Sequence, residues 1–347
     1  MKRNSIFVVL LIIGFLFEAI CFVGISQRSA EKKNLYSFYL NDSDRSVVFG
    51  KKSVNSNKRN PLYKLNLSCL YAKKDAMVSS IFKSLFHGDT ICFSDIPIIN
   101  ELLTEAHSMS PQEPIFALNY SLIKMIQGEK ESAQTILDPF ANEAFATREI
   151  LLVEGMLNEL NGNRMDASYY YSKAIARFTD ITESVFWEDL RKRDPDLASQ
   201  SFKDALERMV SLYNNGNDPI VAAKLGKLYY SGGDLEKAQS LLEYALQELP
   251  TLNRTWYYLG CIMEDKRDKA LALKYFSKSF ELDDTDVVPL KKLVNRRVFD
   301  MKKLDDLLQK KGSYQINRLG VIYGGSSIRQ PYILSDLENY FSPNISD

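Results

Sequence analysis

A period of 34 residues constrains this chain more than any other feature. Gly128 and Gly162 stand 34 positions apart, as do Ala133 and Ala167, Gly226 and Gly260, and Ala238 and Ala272. Self-similarity at a period of this length marks a stack of supersecondary units, each too small to bury its own apolar face. Each copy here reads as helix, short turn, helix. In AAKLGKLYYSGGDLEKAQSLLEYALQELP, which begins at Ala222, Leu225, Gly226 and Tyr229 share one helical face. Gly232-Gly233 ends that helix, because glycine tolerates the left-handed conformation common at helix termini. Asp234 caps the next helix, whose inner stripe is Ala238, Leu242 and Ala245. Gly226 and Ala238 let the two helices approach closely, and Pro250 ends the unit.

The pattern resembles the tetratricopeptide repeat, a helix–turn–helix unit of 34 residues. Trp256, Leu259, Gly260, Ala272, Phe276 and Ser279 continue it in the same register, and Glu281-Leu282-Asp283 matches the family's usual ending, although Asp284 replaces its proline. Arg148–Ile181 keeps Gly155, Gly162, Ala167, Tyr171 and Ala174. Pro114–Thr147 keeps Gly128, Ala133 and Leu137, with Ser121 where the other copies have glycine. Between Thr182 and Asp218 lies an atypical unit of about the same length, broken by Pro195, with Asp196 as its expected cap and Trp187 and Phe202 as its core. The resemblance covers roughly residues 114–286 and is most specific over 219–286. It implies five consecutive helical hairpins.

The same resemblance implies a groove lined by the first helices. Its expected contact residues are Leu118, Leu122 and Met125, then Leu152 and Met156, Lys227 and Tyr230, and Arg254 and Tyr257. Apolar, aromatic and basic groups in that mixture suit an extended peptide or a helix held by a few anchors.

Outside the repeats, Lys2 and Arg3 precede an apolar stretch from Ile6 to Ile25, just long enough to cross a bilayer. The alternatives are an uncleaved anchor, which is preferred, and a cleaved signal peptide. The basic N-terminus argues for a cytoplasmic start and a repeat domain on the far side, although Arg28, Lys32 and Lys33 weaken that bias. The sequence therefore divides into an anchor at 1–25, a juxtamembrane linker at 26–60, a helical N-terminal cap at 61–113, repeats at 114–286, and capping helices with a tail at 287–347. In the linker, Leu35–Leu40 and Ser46–Phe49 suit either a short hairpin or flexible chain. Asp75–Phe86 and Asp95–His107 read as helices, each with an aspartate available as a cap.

Composition removes most chemistry. Two histidines and four cysteines without a C-x-x-C pair leave little for metal binding or acid–base work, and neither metal nor cofactor is expected. Cys69 and Cys92 suit either a disulfide or buried free thiols. The Gly232-Gly233-Asp234 and Gly324-Gly325-Ser326 segments lack the spacing of a phosphate loop. Glu264-Asp265 and Asp283-Asp284 are adjacent on a helix and cannot face one another as a glycosidase pair. Balanced charge gives no general attraction to nucleic acid. Lys291, Lys292, Arg296, Arg297, Lys302 and Lys303 form a basic segment that suits a glycan or anionic lipid, or a solvated cap.

The expectation is an all-α, tetratricopeptide-like solenoid behind an N-terminal membrane helix. It is expected to be a non-enzymatic scaffold of a bacterial cell-envelope assembly, in the inner membrane with its repeats periplasmic, and to bind a protein or peptide. The alternative is an accessory subunit of a polysaccharide or secretion apparatus.

Overall fold

A computed structural model describes residues 43–74, 86, 95–142, 144, 146–284, 286–295 and 340. Among these residues the regular structure is helical, with no β-strand. The described residues fall into two compact units that meet in sequence at Leu137 and Asp138.

The first unit contains α1 (Ser43–Ser56), α2 (Pro61–Lys74), α3 (Ile96–Met109), α4 (Pro114–Ile126) and most of α5 (Lys130–Ala141). Helix α1 corrects the expected hairpin or flexible linker over Ser46–Phe49. Ser46, Val47, Gly50 and Ser53 are buried at steps of three or four, a helical stripe that packs on α2. Its polar composition hid the stripe, since two of the inward positions are serines. Asp95 stands at the N-cap of α3 but makes no side-chain capping bond, so the expected cap is absent. Asp75–Phe86 lies, Phe86 apart, outside the described residues. Cys69, on α2, is a free and buried thiol whose pKa burial raises to about 12; Cys92 is outside the described residues.

The second unit is a stack of helix pairs. Its elements are α6 (Arg148–Leu160), α7 (Arg164–Arg177), a 3-10 turn (Thr179–Glu183), α8 (Val185–Arg193), α9 (Pro195–Gly216), α10 (Pro219–Ser231), α11 (Leu235–Glu248), α12 (Asn253–Asp265), α13 (Lys269–Leu282) and α14 (Val287–Asn295). Partners pack as α6 with α7, α8 with α9, α10 with α11, and α12 with α13. Successive pairs join through α7 on α9, α9 on α10, and α11 on α12, and α14 covers α13.

One register recurs in the regular pairs. A Cβ added to Gly155, Gly226 or Gly260 would lie 2.4, 2.8 or 2.5 Å from the side chain sixteen positions on, at Tyr171, Leu242 and Phe276. No real Cβ sits that close, so glycine is what allows each pair to close up. In the α4–α5 pair Ser121 takes the glycine's place, and its hydroxyl donates to the Ala133 carbonyl at 2.8 Å. The intervening turns place Gly128, Gly162 and Gly233 at positive φ, and Arg267 fills that role in the last copy at φ +64°.

The atypical pair keeps its proline boundary but shifts its cap. Asp194, rather than Asp196, accepts from the Leu197 amide at 3.0 Å and starts α9. Trp187 and Phe202 meet as expected, with ring centroids 6.2 Å apart. Helix α9 runs 22 residues, longer than the second helices around it.

Candidate functional site

In the second unit the expected contact residues lie on α6, α10 and α12, and α10 touches α12 directly. Several expected contact residues prove to be core. Leu118, Leu122 and Met125 on α4, and Leu152 and Met156 on α6, are at most 1% exposed. For Leu122 and Met156 the register explains this: they, Lys227 and Cys261 each follow the small residue of their own copy, and all four are buried, whereas Leu118 and Leu152 hold the repeat position of Tyr257, and Met125 that of Tyr230, and are core only in their own copies. The position after the small residue points inward in every regular pair, so Leu122 and Met156 stabilise the stack, as do the buried Leu118, Met125 and Leu152.

Lys227 is the informative case, because there the inward position holds a charge. Its ammonium lies 3.3 Å from Glu183 of the 3-10 turn and 5.0 Å from the centroid of the Tyr258 ring. Burial lowers its pKa, opposed by the charges of Glu183 and Asp180. Tyr258 donates its hydroxyl to the same Glu183 oxygen at 2.9 Å. Lys227 therefore closes an internal ion pair and is not available to read an acidic ligand.

Around it lies a partly exposed aromatic surface. Tyr230 and Tyr257 are both half-buried and meet Tyr258, tilted at 6.0 Å and edge-on at 5.2 Å between centroids respectively. Tyr257 also meets Phe276 at 5.6 Å. Burial and then the nearby Cys261 raise the hydroxyl pKa values of both, so both remain neutral phenols. The Cys261 thiol is itself pushed up to about 11 by burial. Arg254 sits beside Tyr257, its guanidinium 5.9 Å from the ring centroid. Its side chain remains 46% exposed while Nε pairs with buried Asp286 at 2.8 Å. Asp286 in turn accepts from the Val288 amide at 3.0 Å. The site is thus a patch of two phenols and one guanidinium, fixed from beneath by Tyr258, Phe276 and Asp286. It can offer aromatic stacking, hydroxyl hydrogen bonds and one cation. It holds no nucleophile–base pair, and no group of metal-ligating side chains occurs among the described residues.

Sequence reasoning passed over a second constellation on α6, α7 and α8. Arg193 donates through Nε and Nη2 to both oxygens of Glu159 at 2.9 Å, and through Nη1 to Asp189 at 2.8 Å. Tyr171 donates to Glu159 at 2.6 Å. Burial acts against the Arg193 charge, but the paired Glu159 and its neighbours outweigh it and raise the pKa. The signal was present in the numbering, since Glu159 and Arg193 are 34 residues apart, one full repeat.

No protein-family model and no curated protein matches the chain. Solved structures do. A tetratricopeptide repeat protein from Parabacteroides merdae is 16% identical, with a TM-score of 0.37, covering 82% of this chain and 98% of its own. Pseudomonas aeruginosa PilF is 11% identical with a TM-score of 0.37, over 78% of this chain and 99% of its own. YrrB, described as a tetratricopeptide protein with an unusual peptide-binding site, is 11% identical with a TM-score of 0.28, over 70% and 96%. Similarity at these values carries no weight for function, and the assignment of fold rests on the helix pairs themselves. Each regular pair closes on a small residue and turns through a left-handed residue, at a spacing of 34 positions within 114–181 and again within 219–286. The fold is tetratricopeptide-like. Within it, Tyr230, Arg254 and Tyr257 are the expected contact residues that reach the surface of the first helices.

Proposed function

We propose that the protein is a non-enzymatic interaction scaffold that holds an extended peptide or a helix against the first helices of its repeats. The observation that supports this reading is the patch of Tyr230, Tyr257 and Arg254, where two partly buried aromatic rings and an exposed guanidinium sit together over the core. Tyrosine and arginine commonly dominate binding energy at protein interfaces, because they bring large contact area or a planar fork of donors at modest entropic cost. The partner in this reading is a protein that presents an acidic or carbonyl-rich segment to Arg254 and apolar side chains to the two rings.

The variant that tests it has to respect Asp286. Arg254→Ala would strand a buried carboxylate, whereas Arg254→Gln keeps a donor beside it. Tyr257→Ala combined with Arg254→Gln should weaken partner capture from solubilised membranes by roughly tenfold or more, with the helical circular dichroism signal unchanged. Capture that survives this change, and is abolished by replacing Arg296 and Arg297, would move the contact to the basic segment and favour the glycan or lipid reading.

We place the scaffold in a bacterial inner membrane, anchored by Ile6–Ile25, with the repeats in the periplasm. This rests on the apolar stretch and the basic residues before it. Among the described residues no helix is long and apolar enough to cross a membrane, and Ile6–Ile25 lies outside them. Protease added to intact spheroplasts should digest the repeats, and their protection would reverse the orientation. A mature N-terminus near Gln27 would replace the anchor with a cleaved signal.

A further inference from the structure

Helix α12 carries its end charges the wrong way round for its own stability. A helix is stabilised by anions in its first turn and cations in its last, because its aligned peptide dipoles leave positive charge at the N-terminus and negative charge at the C-terminus. The neighbouring first helices start accordingly, α6 with Glu149 in its first turn and α10 with Asp218 as a capping acceptor. Helix α12 starts with Arg254 in a first turn without a side-chain cap and ends on Glu264 and Asp265, with no acidic residue in the first turn and no basic residue in the last. An arrangement that local preference opposes points to a demand from elsewhere.

Two of these three charges border the aromatic patch. Glu264 pairs with Lys292 at 3.0 Å and is engaged within the fold. Asp265 is exposed. The Tyr230 hydroxyl donates to its carboxylate, which places Asp265 beside the patch at the end opposite Arg254. At the other end Arg254 holds Asp286 through Nε and leaves the side chain 46% exposed beside the Tyr257 ring. The patch is therefore a row along α12, running from a guanidinium past Tyr257 and Tyr230 to a carboxylate. Arg254 and Asp265 are separated by about 16 Å of helical rise. An extended peptide covers that distance in about five residues.

The chemistry at the far end is that of a cation site. A carboxylate that accepts one bond from a phenol retains lone pairs for further donors. The electron-rich ring next to it attracts a cation to its face. An anion placed there would meet both the carboxylate and the negative end of the helix, and an apolar group would cover Asp265 without pairing it.

We infer that Asp265 and the ring of Tyr230 form a subsite for a lysine or arginine side chain of the partner, about five extended residues from the acidic group that Arg254 reads. This deepens the proposed function and rests on its premise that the partner lies along α10 and α12. It adds Asp265 as a contact residue and sets the ligand's pattern, one acidic and one basic residue flanking an apolar side chain that covers the two rings.

The test selects ligands for the detergent-solubilised full chain from a random dodecapeptide library. Enriched peptides should carry an acidic residue and a lysine or arginine about five positions apart, with an apolar residue between. The tightest of them should bind the Asp265→Asn chain about threefold to fivefold more weakly than wild type, the scale of a single exposed ion pair. Replacing its basic residue by methionine should cost the same on the wild-type chain and nothing on the Asp265→Asn chain, because both changes remove one interaction. Asparagine still accepts from Tyr230, and removing an anion from a helix C-terminus leaves the melting temperature unchanged or raises it, so the fold is kept. Enriched peptides without a basic residue at that spacing, or losses from the two changes that simply add, overturn the inference and leave the Tyr257 and Arg254 patch standing. A wild-type chain that enriches no peptide overturns the proposed function, and this subsite with it.

Discussion

At the scale of single residues, absence of a side chain does as much as any contact. Gly155 faces Tyr171 so closely that a methyl group would sit 2.4 Å from the ring. Tyr171 is fully buried and tied to Glu159, so neither the ring nor its hydroxyl can give way cheaply. Gly155→Ala should therefore destabilise the second unit by about 1–3 kcal/mol, the usual range for overpacking, read as a lower chemical-denaturation midpoint. An unchanged midpoint would mean that the α6–α7 pair is looser than described. The position was legible because a glycine recurs at the 34-residue period. The charged cluster beside it was not, because single acidic and basic residues in helices are usually solvated surface and carry no signal of burial. Only the 34-residue separation of Glu159 and Arg193 distinguished them from that background.

At the scale of elements, the sequence marked the regular pairs through glycine, small residues and proline, and these agree with local chain preference. It failed where the pattern used other residue types. Helix α1 buries serines and glycine beside Val47, so its inward stripe does not look apolar. The family resemblance assigns the first-helix positions after the small residue to the groove at Leu122, Met156 and Lys227, and burial of Lys227 by Glu183 cannot be anticipated from either residue alone. The atypical pair is specified at its start by Asp194, which caps α9 and also pairs with Arg164 at 2.8 Å. Pro195 follows at the first helical position, where its fixed φ and missing amide do no harm. Asp194→Ala should cost about 1 kcal/mol, mainly through the lost cap, because the pair with exposed Arg164 contributes little. Thermal unfolding followed at the far-ultraviolet helical signal checks this. Asp194→Asn, which keeps an acceptor for the Leu197 amide, should restore most of the loss.

At the scale of the molecule, the two faces of the repeat stack differ in what they expose. The second helices present Met165, which is 87% exposed on α7, and Tyr169, 41% exposed with the Arg208 guanidinium of α9 4.8 Å from its ring centroid. The first helices present Tyr230, Tyr257 and Arg254 together, over a base that already satisfies its own charges. A patch held by contacts beneath it loses less conformational entropy on association than a mobile one. The central claim is that the partner contacts this face. A photo-crosslinking phenylalanine analogue placed at Tyr257, and separately at Met165, tests it in intact cells. The account predicts a crosslinked partner from position 257 and none from 165. Crosslinking from 165 with none from 257 would contradict it.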